Sequence, residues 1–104
     1  MSTQLRLATL DDLEALVDLE ALTFPEDPWT PFMLADELMS PASRYWIAAD
    51  ESGAPIGYGG VKVGGDQADV MTIGVAPHAR GRGAGAAILD ALLDWARQAG
   101  AAEI

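Results

Sequence analysis

The amino-acid sequence predicts a single domain of the α+β (mixed α/β) class, with elements in the order β-α-α-β-β-β-α-(β). Stretches that alternate polar and apolar residues, as strands do, are interspersed with stretches whose apolar residues recur every three or four positions, as in helices. Three strand-like stretches are separated by short turns, which is typical of antiparallel hairpins. With 104 residues, the chain is too short to form two hydrophobic cores.

The chain is predicted to begin with a strand and a helix. Residues 4–8 alternate polar and apolar side chains and predict a short strand. Thr9 with Asp12 three residues later forms a variant of the capping box, so a helix is expected from there to about Leu22. Its apolar stripe is expected to consist of Leu10, Leu13, Leu16, Val17 and Ala21. Its acidic residues are expected to form a mostly solvated face: Asp11, Asp12, Glu14, Asp18 and Glu20.

A second helix is predicted after a proline-rich loop. Phe24–Pro28 contains two prolines and cannot continue the first helix. Thr30 followed by Pro31 is typical of a helix start, as cap and first-turn proline, and the helix is expected to end near Met39.

The three hairpin strands come next. The sequence predicts strands at Arg44–Asp50, Pro55–Val63 and Ala68–Val75. The turns between them are rich in glycine and acidic residues, at 51–54 and 64–66. Tyr45 and Tyr58 are expected to be ordinary sheet residues, while Asp69 lies at the start of the last strand.

The chain is predicted to end with a loop, a helix and the start of a strand. The loop at 76–82 leads to a helix at about Gly83–Gln98, with Gly100 as its stop. The apolar stripe of this helix is Ala87, Ile88, Leu92, Trp95 and Ala96. Residues 101–104 are few for the partner strand that a crossover helix should reach. We therefore expect a sequence incomplete at its C-terminus, or a sheet that another segment completes.

The composition excludes several classes of protein. Six basic and sixteen acidic residues give a net charge of −10, which excludes broad electrostatic binding to nucleic acid or anionic membranes. With no cysteine, there are neither disulfides nor thiolate zinc sites, and no metal site is expected. The sequence contains neither a membrane-spanning apolar run nor a secretory signal. The absence of cysteine leads us to expect a cytoplasmic location.

One window of the chain departs from the acidic pattern. Residues 1–40 contain nine acids and one base, whereas residues 70–89 contain no acid and carry Arg80, Arg82 and His78. Glycines 81, 83 and 85 fall where a strand passes into a helix, and the free amides and the dipole of a helix N-terminus favour an anion. The pattern predicts a pyrophosphate site, although a helix start with glycines for packing alone would look similar. His78 is expected to be a surface loop residue.

Two nucleotide-binding motifs are weaker explanations of this window. A Walker loop needs a lysine where this chain has Gly85-Ala86, so a P-loop nucleotidase is excluded. Gly81-x-Gly83-x-x-Ala86 with Glu103 about twenty residues on fits a relaxed Rossmann fingerprint. The long connection at 76–79, the preceding hairpins and the arginines count against that alternative, which stays open.

The window resembles the acetyl-CoA signature of the GNAT N-acetyltransferases. Arg80-x-x-Gly83-x-Gly85 follows a strand that ends Thr72-Ile73-Gly74-Val75-x-Pro77, and the element order is similar to that family's three-layer fold. Further stretches are similar to the bacterial enzymes that acetylate the N-terminal alanine of a ribosomal protein: Phe24-Pro25, Pro28-Trp29-Thr30, Glu37-Leu38 and Ser43-Arg44-Tyr45. The resemblance implies a partial GNAT domain at 1–104 that lacks most of the fifth strand, the fourth helix and the last two strands.

The resemblance also implies a cosubstrate, acetyl-CoA, and its binding residues. Backbone groups of Ile73, Gly74 and Val75 would pair with the pantetheine arm. The residues around the pyrophosphate would be Arg80, Gly81, Arg82, Gly83, Ala84, Gly85 and Ala86. The family's general base and acid lie further along the domain, so the catalytic residues are unknown. Neither Glu103 nor Asp69 is assigned the base.

The expected reaction is acetyl transfer to an amine, with a protein N-terminal alanine of a ribosomal protein as the acceptor. A CoA-binding fragment without catalysis, completed by a partner segment, is the alternative. Trp29 either shapes the acceptor cleft or packs in the core. The exposed edge of the fourth strand predicts self-association.

Overall fold

The structure, a computed structural model, describes residues 3–104 and contains four strands and three α-helices. In chain order these are β1 Gln4–Leu7, α1 Leu13–Thr23, α2 Pro31–Met39, β2 Ser43–Ala49, β3 Pro55–Gly64, β4 Gln67–Val75 and α3 Ala84–Gln98. Two 3-10 turns, Leu10–Asp12 and Pro77–Ala79, precede α1 and follow β4. In the part of the chain described, no helix combines the length and the apolar character needed to cross a membrane.

The four strands form one antiparallel sheet in the order β1-β2-β3-β4. The predicted α+β class, the order of elements along the chain and the antiparallel hairpins are confirmed. Beyond β4, a single parallel bridge joins Gln67 to Glu103, where the amide of Ala68 donates to the Glu103 carbonyl at 2.8 Å. The rest of the outer edge of β4 pairs with no other strand within residues 3–104.

The helices cover both faces of the sheet and divide the core in two. α3 packs on one face and buries an apolar cluster that includes Ile56, Val61, Ile88 and Leu92. α1 and α2 pack on the other face and bury Leu16, Leu34, Ile47 and Tyr58, among others. The three layers expected from the family resemblance are therefore present.

Two neighbouring glycines let side chains approach β3 from opposite faces. A Cβ on Gly59 would overlap the side chain of Ile88 in α3. A Cβ on Gly60 would fall within the ring of Tyr45, its partner in the register between β2 and β3. Both close contacts therefore require a strand position without a side chain.

The start of the first helix differs from the prediction. The capping box is confirmed, since the amide of Thr9 donates to Asp12 Oδ2 at 2.9 Å, but residues 10–12 form a 3-10 turn before α1 begins at Leu13. The bidentate hydrogen bonds from Arg6 to the Asp12 carboxylate, at 2.8 and 2.9 Å, hold this turn against β1. Leu10, predicted to lie on the apolar stripe, is 49% exposed.

The prediction for the acidic face of α1 is wrong at Glu20, which is 1% exposed. Ala21, predicted to close the apolar stripe, is exposed instead. Helical periodicity explains the position of Glu20. Leu16 and Val17 follow Leu13 by three and four residues on the inner face, and Glu20 follows them by four and three, so its carboxylate lies inside.

The remaining helix ends agree with the sequence. Thr30 caps α2 by accepting a hydrogen bond from the amide of Met33 at 3.1 Å. α3 begins after Gly83 and ends before Gly100, which has φ 94°, the left-handed conformation expected of a helix stop. The guanidinium of Arg44 on β2 lies 5.1 Å from the centre of the Trp95 ring and so links α3 to the sheet.

Candidate functional site

The loop before α3 presents free backbone amides. Gly81 and Gly83 have φ of 84° and 81°, so each adopts the left-handed conformation that glycine favours. Gly83 is the N-cap of α3 and has no side chain that could cap the helix. Its carbonyl accepts the first hydrogen bond of the helix, from the amide of Ala87 at 3.0 Å. Among the described residues, the amides of 84–86 therefore have no hydrogen-bond partner. Gly81, Arg82 and Gly83 are all exposed, so a ligand can reach these amides.

The two arginines of the loop are held differently. Arg80 donates from Nε to the Val75 carbonyl at 3.2 Å, which orients its guanidinium and uses only one of its five N–H groups. Arg82 is exposed and lies within electrostatic range of Asp50 in the β2–β3 turn. Hydrogen bonds from Ser52 and, to a smaller extent, the charge of Arg82 hold the pKa of Asp50 below its ordinary value. Both guanidinium groups thus flank the glycine loop.

The open edge of β4 leads directly to this loop. The amide of Ala76 donates to the Ile56 carbonyl at 2.8 Å, and the register pairs Tyr58 with Gly74. Because hydrogen bonding alternates along an antiparallel ladder, Gly74 bonds towards β3, while Ile73 and Val75 turn their polar groups to the open edge. Of the three predicted pantetheine positions, two therefore offer backbone hydrogen bonds there.

The backbone of Gly74 bonds to β3 and not to the open edge, and its missing side chain leaves room for Tyr58 and Thr23. A Cβ at this position would lie 2.9 Å from the Tyr58 ring and 3.0 Å from both Thr23 Oγ1 and Cγ2. The last residue of α1 therefore sits directly against β4, at the strand positions predicted to hold the cosubstrate. The segment Phe24–Trp29, which we call the α1–α2 loop, starts at this contact.

A buried polar cluster lies under the α1–α2 loop, and sequence reasoning missed it. Tyr58 donates its hydroxyl to Glu20 Oε1, and the amide of Trp29 donates to Glu20 Oε2 at 2.8 Å. The Tyr58 hydroxyl also lies 3.4 Å from Thr72 Oγ1 on β4. The helical periodicity of α1 could have placed Glu20 inside, but nothing in the sequence pairs it with Tyr58, 38 residues away. We call these four residues, Glu20, Trp29, Tyr58 and Thr72, the Glu20 cluster.

The other candidates of the sequence lie outside this arrangement. Asp69 and Glu103 are exposed and line a small pocket at the beginning of β4, at the opposite end of the strand from the glycine loop. His78 is exposed in the 3-10 turn after β4. Tyr45 is a buried sheet residue, as expected, and donates its hydroxyl to Glu37 Oε1 at 2.9 Å. Trp29, by contrast, belongs to the Glu20 cluster through its amide, and its half-buried side chain packs against the core below α1 and α2.

Comparison with known proteins agrees with this geometry. Residues 13–104 match the family model described as the acetyltransferase (GNAT) family. N-alpha-acetyltransferase RimI of Mycobacterium tuberculosis is 39% identical over 94 residues, which are 86% of this chain and 59% of that protein. A mycothiol acetyltransferase of Clavibacter sepedonicus is 33% identical over 103 residues, 92% of this chain and 34% of that protein. The chain thus spans about three-fifths of the first relative and a third of the second.

Solved structures show the same fold. The ribosomal-protein-S18-alanine N-acetyltransferase from Escherichia coli superposes with a TM-score of 0.85 at 21% identity, over 95% of this chain and 62% of that chain. The PaiA N-acetyltransferase from Thermoplasma acidophilum, solved in complex with coenzyme A, gives 0.83 at 15% identity, over 96% and 75% of the two chains.

The Rossmann alternative is therefore wrong. The strand before the glycine loop is antiparallel to its neighbour, whereas a Rossmann fingerprint lies in a parallel βαβ unit. The matched family model, the antiparallel sheet and the glycine loop at the start of α3 agree, and the chain belongs to the GNAT acetyltransferase family.

Proposed function

We propose that this protein binds acetyl-CoA along β4 and at the start of α3, and transfers the acetyl group to an amine. The single observation that carries the proposal is the row of free amides after two left-handed glycines, beside the open edge of β4. The family uses acetyl-CoA, and a structural neighbour with this fold was solved with coenzyme A.

Each part of the site has a physical role in this proposal. The amides of Ala84–Ala86 and the helix dipole would bind the pyrophosphate, and the free N–H groups of Arg80 and Arg82 would add charge-assisted hydrogen bonds. Ile73 and Val75 would pair with the amides of the pantetheine arm as a neighbouring strand does. The Val75 carbonyl has a second lone pair besides the one used by Arg80.

The proposed reaction is direct attack of the amine nitrogen on the thioester carbonyl. A carbon–nitrogen bond forms, the carbon–sulfur bond breaks, and the amine proton passes to a base while the thiolate leaves. No residue of this chain is assigned as that base. Glu20 is excluded because it is buried and already accepts two hydrogen bonds.

The proposed acceptor is a protein N-terminal amine on a basic segment. RimI of Mycobacterium tuberculosis is the most identical of the relatives described above, and its name states an N-alpha-acetyltransferase. Glu26 and Asp27 are exposed in the α1–α2 loop, which starts where Thr23 contacts β4, so their charge favours a cationic acceptor. The mycothiol acetyltransferases support a small-molecule acceptor as a second candidate.

Calorimetry with coenzyme A tests the proposal, with a matched pair of variants. Gly83→Val and Gly53→Val place the same side chain on a left-handed glycine, φ 81° and 86°, with open space around both. The two variants should lose similar stability, about 1–2 kcal/mol. Only Gly83→Val should weaken coenzyme A binding, by about a hundredfold, because its side chain shields the amides.

Two results would contradict the proposal. One is the absence of a binding isotherm with the folded wild-type protein at millimolar coenzyme A. The other is an equal loss of affinity in Gly53→Val, which would trace the effect to stability alone. An N-terminal alanine peptide rich in lysine, compared with the same peptide N-acetylated, then tests transfer by release of free thiol.

The same edge supports the expected self-association as a second proposal. A second copy and coenzyme A would compete for the polar groups of Ile73 and Val75, so coenzyme A should reduce association in sedimentation experiments. Association unaffected by saturating coenzyme A would place the contact elsewhere.

A further inference from the structure

Glu20 is one of only two buried polar or charged residues within residues 3–104, and the only charged one. A carboxylate that is 1% exposed is stable only when its oxygens accept hydrogen bonds. Each oxygen has a separate partner: Oε1 accepts from the Tyr58 hydroxyl, and Oε2 accepts from the Trp29 amide at 2.8 Å. Glu20 thus joins a residue of the sheet to the backbone of the α1–α2 loop.

The hydrogen bond to Trp29 fixes the end of the loop. The loop begins at Phe24, whose amide donates to the Glu20 carbonyl at 2.8 Å, and it ends at Trp29, whose amide donates to the Glu20 side chain. Both ends are therefore held by one residue of α1. The residues between them, 25–28, are exposed.

The other oxygen of Glu20 reaches towards β4. Burial and the Glu20 carboxylate raise the pKa of the Tyr58 hydroxyl well above its ordinary value, so Tyr58 remains a donor. The same hydroxyl lies 3.4 Å from Thr72 Oγ1, on the strand position next to Ile73. Thr72 and Gly74 both face α1, since side chains alternate along a strand.

The direction of the proposed cosubstrate places its thioester near this cluster. The pyrophosphate would lie at the α3 start, next to Val75, which Arg80 contacts at 3.2 Å and which lies 3.6 Å from a Cβ built on Gly85. The pantetheine arm would then run back along β4 from Val75 towards Thr72. The acetyl group would then lie beside Thr72 and Gly74, the part of β4 next to the Tyr58 hydroxyl and to the last residue of α1, where the α1–α2 loop starts.

We propose that Glu20 is a positioning residue, which holds the ends of the α1–α2 loop beside Thr72 and Gly74 of β4, so that the loop forms one wall of the acceptor site. This inference rests on the proposed function for the identity of the site, but the contact itself is independent of it. The ligand of this acceptor site is a peptide with a free N-terminal amine and basic residues, because Glu26 and Asp27 carry the exposed charge of the loop.

The chain contains a matched control for Glu20. Glu37 on α2 accepts from the Tyr45 hydroxyl at 2.9 Å, and also from Ser43 and Lys62, so it forms a glutamate–tyrosine pair on β2, which β3 separates from β4. Glu20→Ala and Glu37→Ala therefore both remove a carboxylate from a tyrosine. Glu20→Gln keeps one oxygen that can accept from Trp29 and serves as the conservative variant if Glu20→Ala is poorly folded.

Three measurements on the full chain test the inference. Coenzyme A affinity, by calorimetry, should stay within about twofold of wild type in every variant, because none of the mutated groups contacts the cosubstrate site. Hydrogen exchange of the Trp29 amide should accelerate at least about tenfold in Glu20→Ala and not in Glu37→Ala. Binding of a lysine-rich peptide with N-terminal alanine, measured with coenzyme A present, should weaken by about tenfold only in Glu20→Ala and be restored in Glu20→Gln.

The outcomes separate this inference from the proposed function. Wild-type protein that does not bind coenzyme A contradicts the proposed function, while the exchange of Trp29 still tests the contact. Unchanged exchange in Glu20→Ala, or equal acceleration in Glu37→Ala, overturns the inference. Faster exchange with unchanged peptide affinity, or a wild type that does not bind the peptide, also overturns it, since the loop would then have no role in acceptor binding.

Discussion

The two faces of the sheet differ in chemistry. The cluster under α3 consists of apolar residues alone, with Ile88 and Leu92 fully buried. The face under α1 and α2 contains both buried polar residues found in the described part of the chain, Glu20 and Ser43, and two glutamate–tyrosine hydrogen bonds. Apolar burial gives stability without specific geometry, whereas buried polar pairs fix geometry at a cost in stability. The α3 face therefore supports the fold and supplies the proposed pyrophosphate site at its helix start, whereas the other face would shape the proposed acceptor site.

Leu92→Ala, in the cluster under α3, should cause the largest loss of unfolding free energy. Removing a fully buried leucine should cost about 2–5 kcal/mol, a large part of the stability of a domain of this size. Urea unfolding measures the loss, with the partly exposed Leu89→Ala on the same helix as control. A loss below about 1 kcal/mol would show that α3 is not the main support.

The two tyrosines of the other face should differ from each other. Tyr58→Phe leaves one oxygen of a buried carboxylate without its partner and should cost about 1–3 kcal/mol. Tyr45→Phe should cost less, about 0.5–1.5 kcal/mol, because Ser43 and Lys62 still donate to Glu37. Thermal or urea unfolding compares the two. Equal losses would mean that burial of Glu20 does not add to the cost.

Thr23 gives a test of opposite sign. Its Oγ1 is buried and has no hydrogen-bond partner among the described residues, facing Gly74 of β4. Thr23→Val removes this hydroxyl at similar volume and should stabilise the protein by up to about 1 kcal/mol, with unchanged coenzyme A affinity. Thr23→Ser, which keeps the hydroxyl, is the control. Loss of coenzyme A affinity in the valine variant alone would show instead that the hydroxyl bonds to the ligand.

The smallest expected effect is the pH dependence of stability that comes from the Arg6–Asp12 ion pair before α1. Hydrogen bonds from Arg6 hold the pKa of Asp12 below its ordinary value. A lowered pKa in the folded state stabilises the protein at neutral pH, and this stability is lost as the pH falls below about 4. Since Arg6 is half-exposed, the pair should contribute less than about 1 kcal/mol.

Unfolding at pH 7 and at pH 3 measures this contribution. The wild type should lose more stability between the two pH values than Asp12→Asn, in which the carboxylate is absent. Identical pH dependence of the two proteins would show that the ion pair does not stabilise the helix start. High salt should reduce the difference between them.

The elements of this fold could be predicted because their signals are local. The caps at Thr9 and Thr30, the stop at Gly100 and the hairpin turns each depend on a few neighbouring residues, and all are present. The glycine loop before α3 belongs to the same class, which is why its left-handed conformations agree with the sequence. The 3-10 turn at 10–12 could not be predicted, since a capping box fits either kind of helix.

The Glu20 cluster could not be predicted because it is assembled by the tertiary fold. Its members come from α1, the α1–α2 loop, β3 and β4, and the hydrogen bond between Glu20 and Tyr58 spans 38 positions. Periodicity alone places Glu20 on the inner face of α1. It cannot identify the tyrosine that makes the burial of a carboxylate possible, and composition instead favours a solvated acid.

The contact between Tyr45 and Gly60 has a consequence for how this sequence can change over time. A Cβ at position 60 would occupy the space of the aromatic ring, so a substitution there requires the Tyr45 ring to move or to be absent. The ring, by contrast, can shrink first without any change at position 60. We therefore expect the residue at 45 to change before the residue at 60. Homologues with a larger residue at 60 should descend from ancestors that had already lost the aromatic residue at 45.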